Sequence, residues 1–122
     1  ATFSGSCIFA GQPWNCNDYD HPYRCRTDPD NVDVGSLVDD PRRRCGQNPI
    51  RKTECVDPVE YLFEDRIFVF RGKHDDVYGP GVVENTVGLL AQLLAEPGRT
   101  MKLVFDEDYE HVLPLPSTAK TN

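Results

Sequence analysis

The sequence predicts an α/β fold in which parallel strands are joined by a crossover helix, and two observations support this prediction. In the second half of the chain the apolar segments follow the order strand, loop, helix, strand, which is a βαβ unit with a right-handed crossover. Near the start of the chain, one further apolar segment is typical of a strand. We therefore expect a small parallel sheet with one long helix.

Two strands are predicted from composition and from the turn residues that follow them. Phe3–Ala10 (FSGSCIFA) is apolar and is followed by Gly11 and Pro13. Arg66–Phe70 (RIFVF) is a short run of β-branched and aromatic residues that ends at Gly72, so a buried strand is predicted there.

A helix and a third strand are predicted after the Arg66–Phe70 strand. A helix is predicted over Val82–Ala95, preceded by Pro80 and Gly81 and stopped by Pro97-Gly98. Met101–Phe105 (MKLVF) predicts the third strand. The apolar positions of the helix have the spacing of a single helical face: Val83, Val87, Leu90, Ala91 and Leu94.

The stretch 15–57 differs from the rest, because it is rich in Asp, Pro, Arg and Asn and has little periodicity. We expect a loop excursion that buries little apolar surface, with a helical turn near Val34–Val38 as an alternative for that part. The core is then expected in 58–122, and residues 1–122 together form part of one domain.

The predicted elements are too few to cover the sheet. Three strands and one helix would leave one sheet face open, whereas parallel sheets are normally covered on both faces.

The cysteines indicate an oxidising compartment. All five lie in the first 55 residues and no two form a Cys-x-x-Cys pair, so disulfides are favoured over a zinc site. The number is odd, so one thiol is expected to be free or bonded outside the chain. Free thiols in a reduced protein are the alternative. The predicted disulfide cysteines are Cys7, Cys16, Cys25, Cys45 and Cys55.

Composition excludes several classes of protein. A chain of 122 residues suits one small domain or part of a larger one. The net charge of −7 argues against nucleic acid as a partner, and no apolar run is long enough to span a membrane. No cofactor or metal is predicted, because Asp28-x-Asp30-x-x-Asp33 lacks the downstream Glu of a calcium loop.

Two polar loops follow the last two strands. Asp75 lies after the Arg66–Phe70 strand and His111 after the Met101–Phe105 strand. If these strands pair, both side chains lie at the same edge of the sheet, where a carboxylate can accept the Nδ1 proton of an imidazole. Solvated acidic loops are the alternative for both positions.

The segments that contain these residues resemble those of a known family. The segment FVFRGKHDDVYGPGVVENTV with the later EHVLPLPS resembles α/β-hydrolases of the polyhydroxybutyrate depolymerase-like group, and ATFSGSCIFAGQPWNC is similar to the segment after their nucleophile helix. The resemblance implies that Asp75 is the triad acid, that His111 in His-x-x-Pro is the triad histidine, and that Trp14 lines the substrate cleft. Packing over the Cys16 bridge is the alternative for Trp14.

The sequence departs from that family in one decisive respect. No Gly-x-Ser-x-Gly nucleophile elbow occurs, and Ser4 and Ser6 lie within the first predicted strand. The resemblance therefore implies the carboxyl-terminal portion of a secreted serine esterase, inactive alone, whose serine comes from missing sequence or from a complementary polypeptide, with carboxylic esters as substrates. A non-enzymatic extracellular binding or assembly protein on the same scaffold is the alternative function.

Overall fold

A computed structural model of the chain describes residues 5–17, 20–39 and 59–113. The described strands form one parallel sheet in the order β1-β2-β3, so each strand pairs with the next along the chain. Both the α/β class and the parallel crossover predicted from the sequence are confirmed. The strands are β1 (Gly5–Phe9), β2 (Arg66–Phe70) and β3 (Met101–Val104).

The helices lie between these strands, and α3 is the longest. It begins at Pro80 rather than at the predicted Val82, because Pro fits the first turn of a helix, where its missing N–H costs no hydrogen bond. α3 ends at Leu93, two residues before the predicted Ala95, because Leu94 already has extended backbone. Pro97 does not stop α3 but begins the short helix α4, which the sequence did not predict. The helices are α1 (Arg24–Thr27), α2 (residues 34–39), α3 (Pro80–Leu93) and α4 (Pro97–Thr100).

The main core lies between the sheet and α3. Ile67 and Val69 of β2 pack with Val83 of α3 and with Leu94 just after that helix, and all four are buried. Ile8, Met101 and Phe105 extend this cluster on the same face of the sheet. The core is therefore one-sided: α3 covers the face that carries Ile8, Ile67 and Val69.

A second core cluster corrects the prediction for the stretch 15–57. Val38 of α2 is 1% exposed and packs with Leu89 and Leu93 of α3. The expected helical turn near 34–38 is confirmed, whereas the expectation that this stretch buries little apolar surface is wrong there. The helix forms because the Asp33 carboxylate accepts a hydrogen bond from the Ser36 N–H and so satisfies a free donor of the first turn.

A disulfide closes a loop within the excursion, and polar contacts to α3 hold both the excursion and the loop after β1 against that helix. Cys16 and Cys25 are bonded and both are buried. Asn85 donates to the Pro29 carbonyl over 2.8 Å, and Thr86 donates to the Gly11 carbonyl over 2.8 Å. The expected disulfide scaffold is thus present at this pair.

The structure corrects the prediction for one of the remaining cysteines and does not describe the other two. Cys7, counted above among the disulfide cysteines, is a free and exposed thiol, because its side chain projects from β1 into solvent. It is thus a cysteine of the kind that the odd count led us to expect. Cys45 and Cys55 lie outside the described residues, so their pairing stays a prediction.

Candidate active site

The carboxyl ends of β2 and β3 carry the two side chains that the sequence singled out. Because these strands are neighbours and parallel, the loop after β2 and the segment after β3 leave the sheet side by side. Nδ1 of His111 lies 3.0 Å from Oδ2 of Asp75. The predicted juxtaposition of the two residues is therefore present.

The Asp75 carboxylate is fixed from both sides. Its Oδ1 accepts the N–H groups of Val77, at 3.0 Å, and Tyr78, at 2.8 Å, while Oδ2 faces His111. The side chain is fully buried. A buried carboxylate is costly unless its oxygens are hydrogen-bonded, and here both of them are.

His111 is oriented by this carboxylate and by a ring contact. An ionised carboxylate only accepts hydrogen bonds, so it favours the tautomer of the neutral imidazole that has its proton on Nδ1 and its lone pair on Nε2. The Tyr78 ring lies 5.3 Å from the His111 ring, centroid to centroid. The His111 side chain is 39% exposed, and Nε2 has no hydrogen-bond partner among the described residues. This geometry lets His111 take a proton from a group that approaches Nε2.

Gly72 makes this arrangement possible; the sequence indicated it as the end of a strand and, by the family resemblance, as the glycine of a Gly-x-x-Asp motif that ends at Asp75. A Cβ at this position would collide with the carbonyl oxygens of Tyr109 and Glu110, because the segment that leads to His111 crosses directly over Gly72. Only a residue without a side chain allows so close an approach of two backbones. Nothing in the sequence around Gly72 indicates which distant segment passes over it.

Backbone hydrogen bonds hold the two segments together below the Asp75–His111 pair. Lys73 N–H donates to the Glu107 carbonyl over 2.8 Å, and His74 N–H donates to the Tyr109 carbonyl over 3.0 Å. The His74 ring also contacts the Asp108 carboxylate, Nε2 to Oδ1, at 2.6 Å. This second histidine–aspartate contact is exposed and was not expected from the sequence.

Arg71 is buried directly before Gly72. Its Nη1 donates to the Gly72 carbonyl over 3.0 Å, and its guanidinium carbon lies 5.7 Å from the centroid of the Phe105 ring. The guanidinium therefore links the end of β2 to the residue that follows β3. No atom of the described residues accepts a hydrogen bond from its Nε.

Trp14 and the two serines occupy different places. Trp14 lies in the loop after β1, at the same edge of the sheet as the Asp75–His111 pair, and is 50% exposed. Ser6 lies in β1 itself, near its amino end, so it has no strand-to-helix turn and is at the wrong end of the strand to approach His111. Ser4 and Pro114 lie outside the described residues.

The weaker candidate features have structural roles. The Asp28 carboxylate accepts a hydrogen bond from the Asn31 amide, and Asp33 caps α2. Among the described residues, no three His, Cys, Asp or Glu side chains are grouped so that they could hold a metal ion. Within the same residues, no helix is long and apolar enough to cross a membrane.

Comparison with known proteins identifies the fold. No protein-family model and no curated protein sequence matches the chain. Two solved structures do. A PHB depolymerase in complex with an R3HB trimer has a TM-score of 0.70 and 18% identity over 88% of this chain. The PHB depolymerase from Penicillium funiculosum has a TM-score of 0.71 and 17% identity over 92% of it.

The chain is much shorter than the two structures that it matches. The chain spans 31% of the first structure and 32% of the second, so about a third of such a fold is present. At this level of identity the likeness shows the fold rather than the activity. The sheet, its crossover helix and the disulfide-linked excursion therefore form a hydrolase-like scaffold, and the fold of this chain is PHB depolymerase-like.

Proposed function

We propose that this chain supplies the acid and the histidine of a secreted serine esterase whose nucleophilic serine and oxyanion-hole donors belong to sequence beyond these 122 residues. One observation carries the proposal: Asp75 Oδ2 lies 3.0 Å from His111 Nδ1, while Nε2 has no partner among the described residues. The Cys16–Cys25 disulfide supports an extracellular location.

The chemistry follows from that geometry. A serine hydroxyl that approaches Nε2 gives its proton to His111 as its oxygen attacks the carbonyl carbon of an ester. Asp75 stabilises the imidazolium that forms. His111 then returns the proton to the leaving alcohol, an acyl-enzyme remains, and a water activated by the same imidazole releases the acid. Trp14 is proposed to line the cleft that binds the ester.

The substrate class is proposed from the neighbours in fold. Both structures are named PHB depolymerases, and one of them holds an R3HB trimer. We propose carboxylic esters of hydroxy acids, including polymeric ones, as substrates of the assembled protein. The chain alone is expected to be inactive, because loss of the nucleophile from a triad leaves only weak residual catalysis.

The test is a fluorophosphonate probe applied to the native material, followed by separation without reductant. We expect a serine to be labelled on sequence outside residues 1–122, either in a larger species or in a second chain, and His111→Ala to abolish the labelling. Asp76→Asn, an exposed neighbour of Asp75, serves as the control and keeps it. A native species of only 13.8 kDa that is monomeric and not labelled would overturn the proposal.

A non-enzymatic binding or assembly role is the second candidate, and one observation favours it. On the sheet face opposite α3, the Phe9 side chain is 41% exposed. Such a surface suits a partner whether or not the site reacts. Stable association without any labelling would favour this role over catalysis.

A further inference from the structure

Arg71 is a buried cation that the proposed mechanism does not use. Its side chain is 8% exposed and lies on the sheet face that carries Ile67 and Val69, because side chains alternate along a strand. No carboxylate of the described residues forms an ion pair with it, and its Nε is unpaired within the same residues. A guanidinium removed from water without a carboxylate is costly. Stability alone therefore does not account for an arginine at this position.

The guanidinium connects the ends of the two strands that lead into the site. Its carbon lies 5.7 Å from the centroid of the Phe105 ring, which follows β3 and packs against the main core. Its Nη1 donates to the carbonyl of Gly72, at the end of β2, over 3.0 Å. The Arg71 N–H also donates to the Val104 carbonyl over 3.0 Å, so the pairing of β2 with β3 extends to this residue. The side chain is thus anchored beside β3 and holds a backbone group that follows β2.

The Gly72 carbonyl is the point through which this contact reaches the site. It also accepts the backbone N–H of Asp75 over 3.2 Å, and so closes the turn whose side chain faces His111. A carbonyl oxygen has two lone pairs and can accept both hydrogen bonds. The segment that leads to His111 crosses directly over Gly72, at the Tyr109 carbonyl. A rotation of the Gly72 peptide would therefore displace both the Asp75 turn and the segment above it.

We propose that Arg71 is a positioning residue for the Asp75–His111 pair. Its Nη1 fixes the orientation of the Gly72 peptide, and that peptide holds the turn from which the Asp75 carboxylate reaches Nδ1 of His111. Arg71 thus acts through Gly72 rather than on the reacting groups. Its effect on turnover rests on the proposed esterase function, whereas its effect on the geometry of the pair does not.

The first test is Arg71→Met in the native protein. Methionine keeps an unbranched apolar side chain beside Phe105 but donates no hydrogen bond to the Gly72 carbonyl. Because the variant removes an unpaired buried charge, its urea midpoint of unfolding is expected to be unchanged or higher. The contact between His111 and Asp75 is nevertheless expected to loosen. Proton NMR should show that the Nδ1 proton of His111 exchanges with water at least about tenfold faster.

Steady-state kinetics provide a readout that a purely structural role would not change. A misplaced base slows the chemical step without altering how the ester binds. For Arg71→Met we therefore expect kcat on a soluble ester to fall about 10–100-fold while KM stays the same. A variant that merely unfolded more easily would keep the parent kcat per folded molecule.

Two further variants serve as the rescue and the control. Arg71→Lys retains a cation and a donor that can reach the Gly72 carbonyl, although it lacks the planar guanidinium that lies over Phe105. It is expected to recover part of kcat and part of the protection of the His111 proton. Arg66→Met makes the same substitution at the exposed amino end of β2 and is expected to leave both readouts unchanged.

A measurement on the parent protein needs no variant and stays decisive if Arg71→Met does not fold. A guanidinium held at Nη1 by the Gly72 carbonyl rotates slowly, so separate NMR signals are expected for the Nη1 and Nη2 protons of Arg71. A single averaged signal would show that the guanidinium is free, and it would overturn the proposal.

The outcomes also separate this inference from the proposed function. Unchanged exchange of the His111 proton in Arg71→Met, equal effects of Met and Lys, or an effect of the same size in Arg66→Met would overturn the positioning role. A urea midpoint that falls together with the protection of that proton would overturn it too, since Arg71 would then stabilise the fold instead. The NMR measurements need no substrate, so their failure leaves the esterase proposal intact. A failure of fluorophosphonate labelling likewise leaves the positioning role intact.

Discussion

At the scale of single residues, the site depends on which nitrogen of His111 carries the proton. The buried Asp75 Oδ2 lies 3.0 Å from Nδ1, and a carboxylate at that position favours the tautomer whose proton is on Nδ1 and whose lone pair is on Nε2. An amide in place of the carboxylate could present its NH₂ group to the imidazole, which would force the opposite tautomer. The function of Asp75 is therefore to set the tautomer as well as the position of His111.

Asp75→Asn tests this role directly. The fold is expected to survive, because the amide oxygen can still accept the N–H groups of Val77 and Tyr78. Nitrogen-15 NMR of the imidazole is expected to show that the proton moves from Nδ1 to Nε2, and hydrolysis by the assembled protein should fall about 10⁴-fold. An unchanged tautomer would contradict the role assigned to Asp75, and Asp76→Asn is the matched control.

Gly72→Ala tests the close approach of the two backbones. The added methyl group would meet the Tyr109 and Glu110 carbonyls, so the segment that carries His111 must move. Overpacking of this kind costs about 1–3 kcal/mol, and we expect a loss of that size in the free energy of unfolding, measured in urea, together with loss of the His111–Asp75 contact. Gly98→Ala is the control, since a Cβ at Gly98 meets no atom within 4 Å. Equal stability of the two variants would show that Gly72 is not required.

At the scale of elements, the two loops of the site are aligned by the sheet and joined by backbone hydrogen bonds. β2 and β3 pair in parallel, and the bonds from Lys73 N–H and His74 N–H continue that pairing beyond the strands. The exposed His74–Asp108 contact adds to these bonds but lies in water, where such pairs contribute little. The backbone, rather than this side-chain pair, positions His111.

His74→Ala is therefore expected to have a small effect. The free energy of unfolding should change by less than about 1 kcal/mol, and the NMR signature of the His111 imidazole should not change. Arg99→Ala, which removes another exposed ion pair far from the site, is the control and should behave alike. A large loss of stability, or loss of the His111–Asp75 contact, would show that the side-chain pair rather than the backbone holds the loops.

The disulfide-linked excursion provides a second prediction at this scale. The disulfide between Cys16 and Cys25 closes a short loop, and both cysteines are buried. Replacing both by Ser is expected to lower the free energy of unfolding by about 2–3 kcal/mol, because the unfolded chain gains conformational freedom. Cys7→Ser is the control and should change stability by less than about 0.5 kcal/mol, since that thiol is exposed. Equal effects would contradict the assignment of the bonded pair.

The comparison of sequence with structure is clearest at this scale. Composition and spacing predicted all three strands and α3, because β-branched runs and helical periodicity are local signals. The same local signals located Asp75 and His111 after adjacent strands. The crossing of the His111 segment over Gly72, and the packing of α2 against Leu89 and Leu93, depend on contacts between distant parts of the chain. No pattern within either segment encodes them.

At the scale of the whole molecule, the chain is a hydrolase-like scaffold. Among the described helices, α3 packs on one face of its sheet, and the structures it matches are about three times as long, since it spans 31% and 32% of them. The Asp75–His111 pair is complete in itself and has the geometry to serve a hydroxyl group. The proposed function therefore depends on sequence outside residues 1–122.

The measurement that tests this account most directly is the structure of the native assembly, in which the distance from His111 Nε2 to the nearest serine Oγ can be read. The account predicts a serine outside residues 1–122, on a sharp strand-to-helix turn, with its Oγ roughly 2.6–3.2 Å from Nε2. Finding Nε2 packed against apolar side chains, or open to solvent with no hydroxyl in reach, would contradict it.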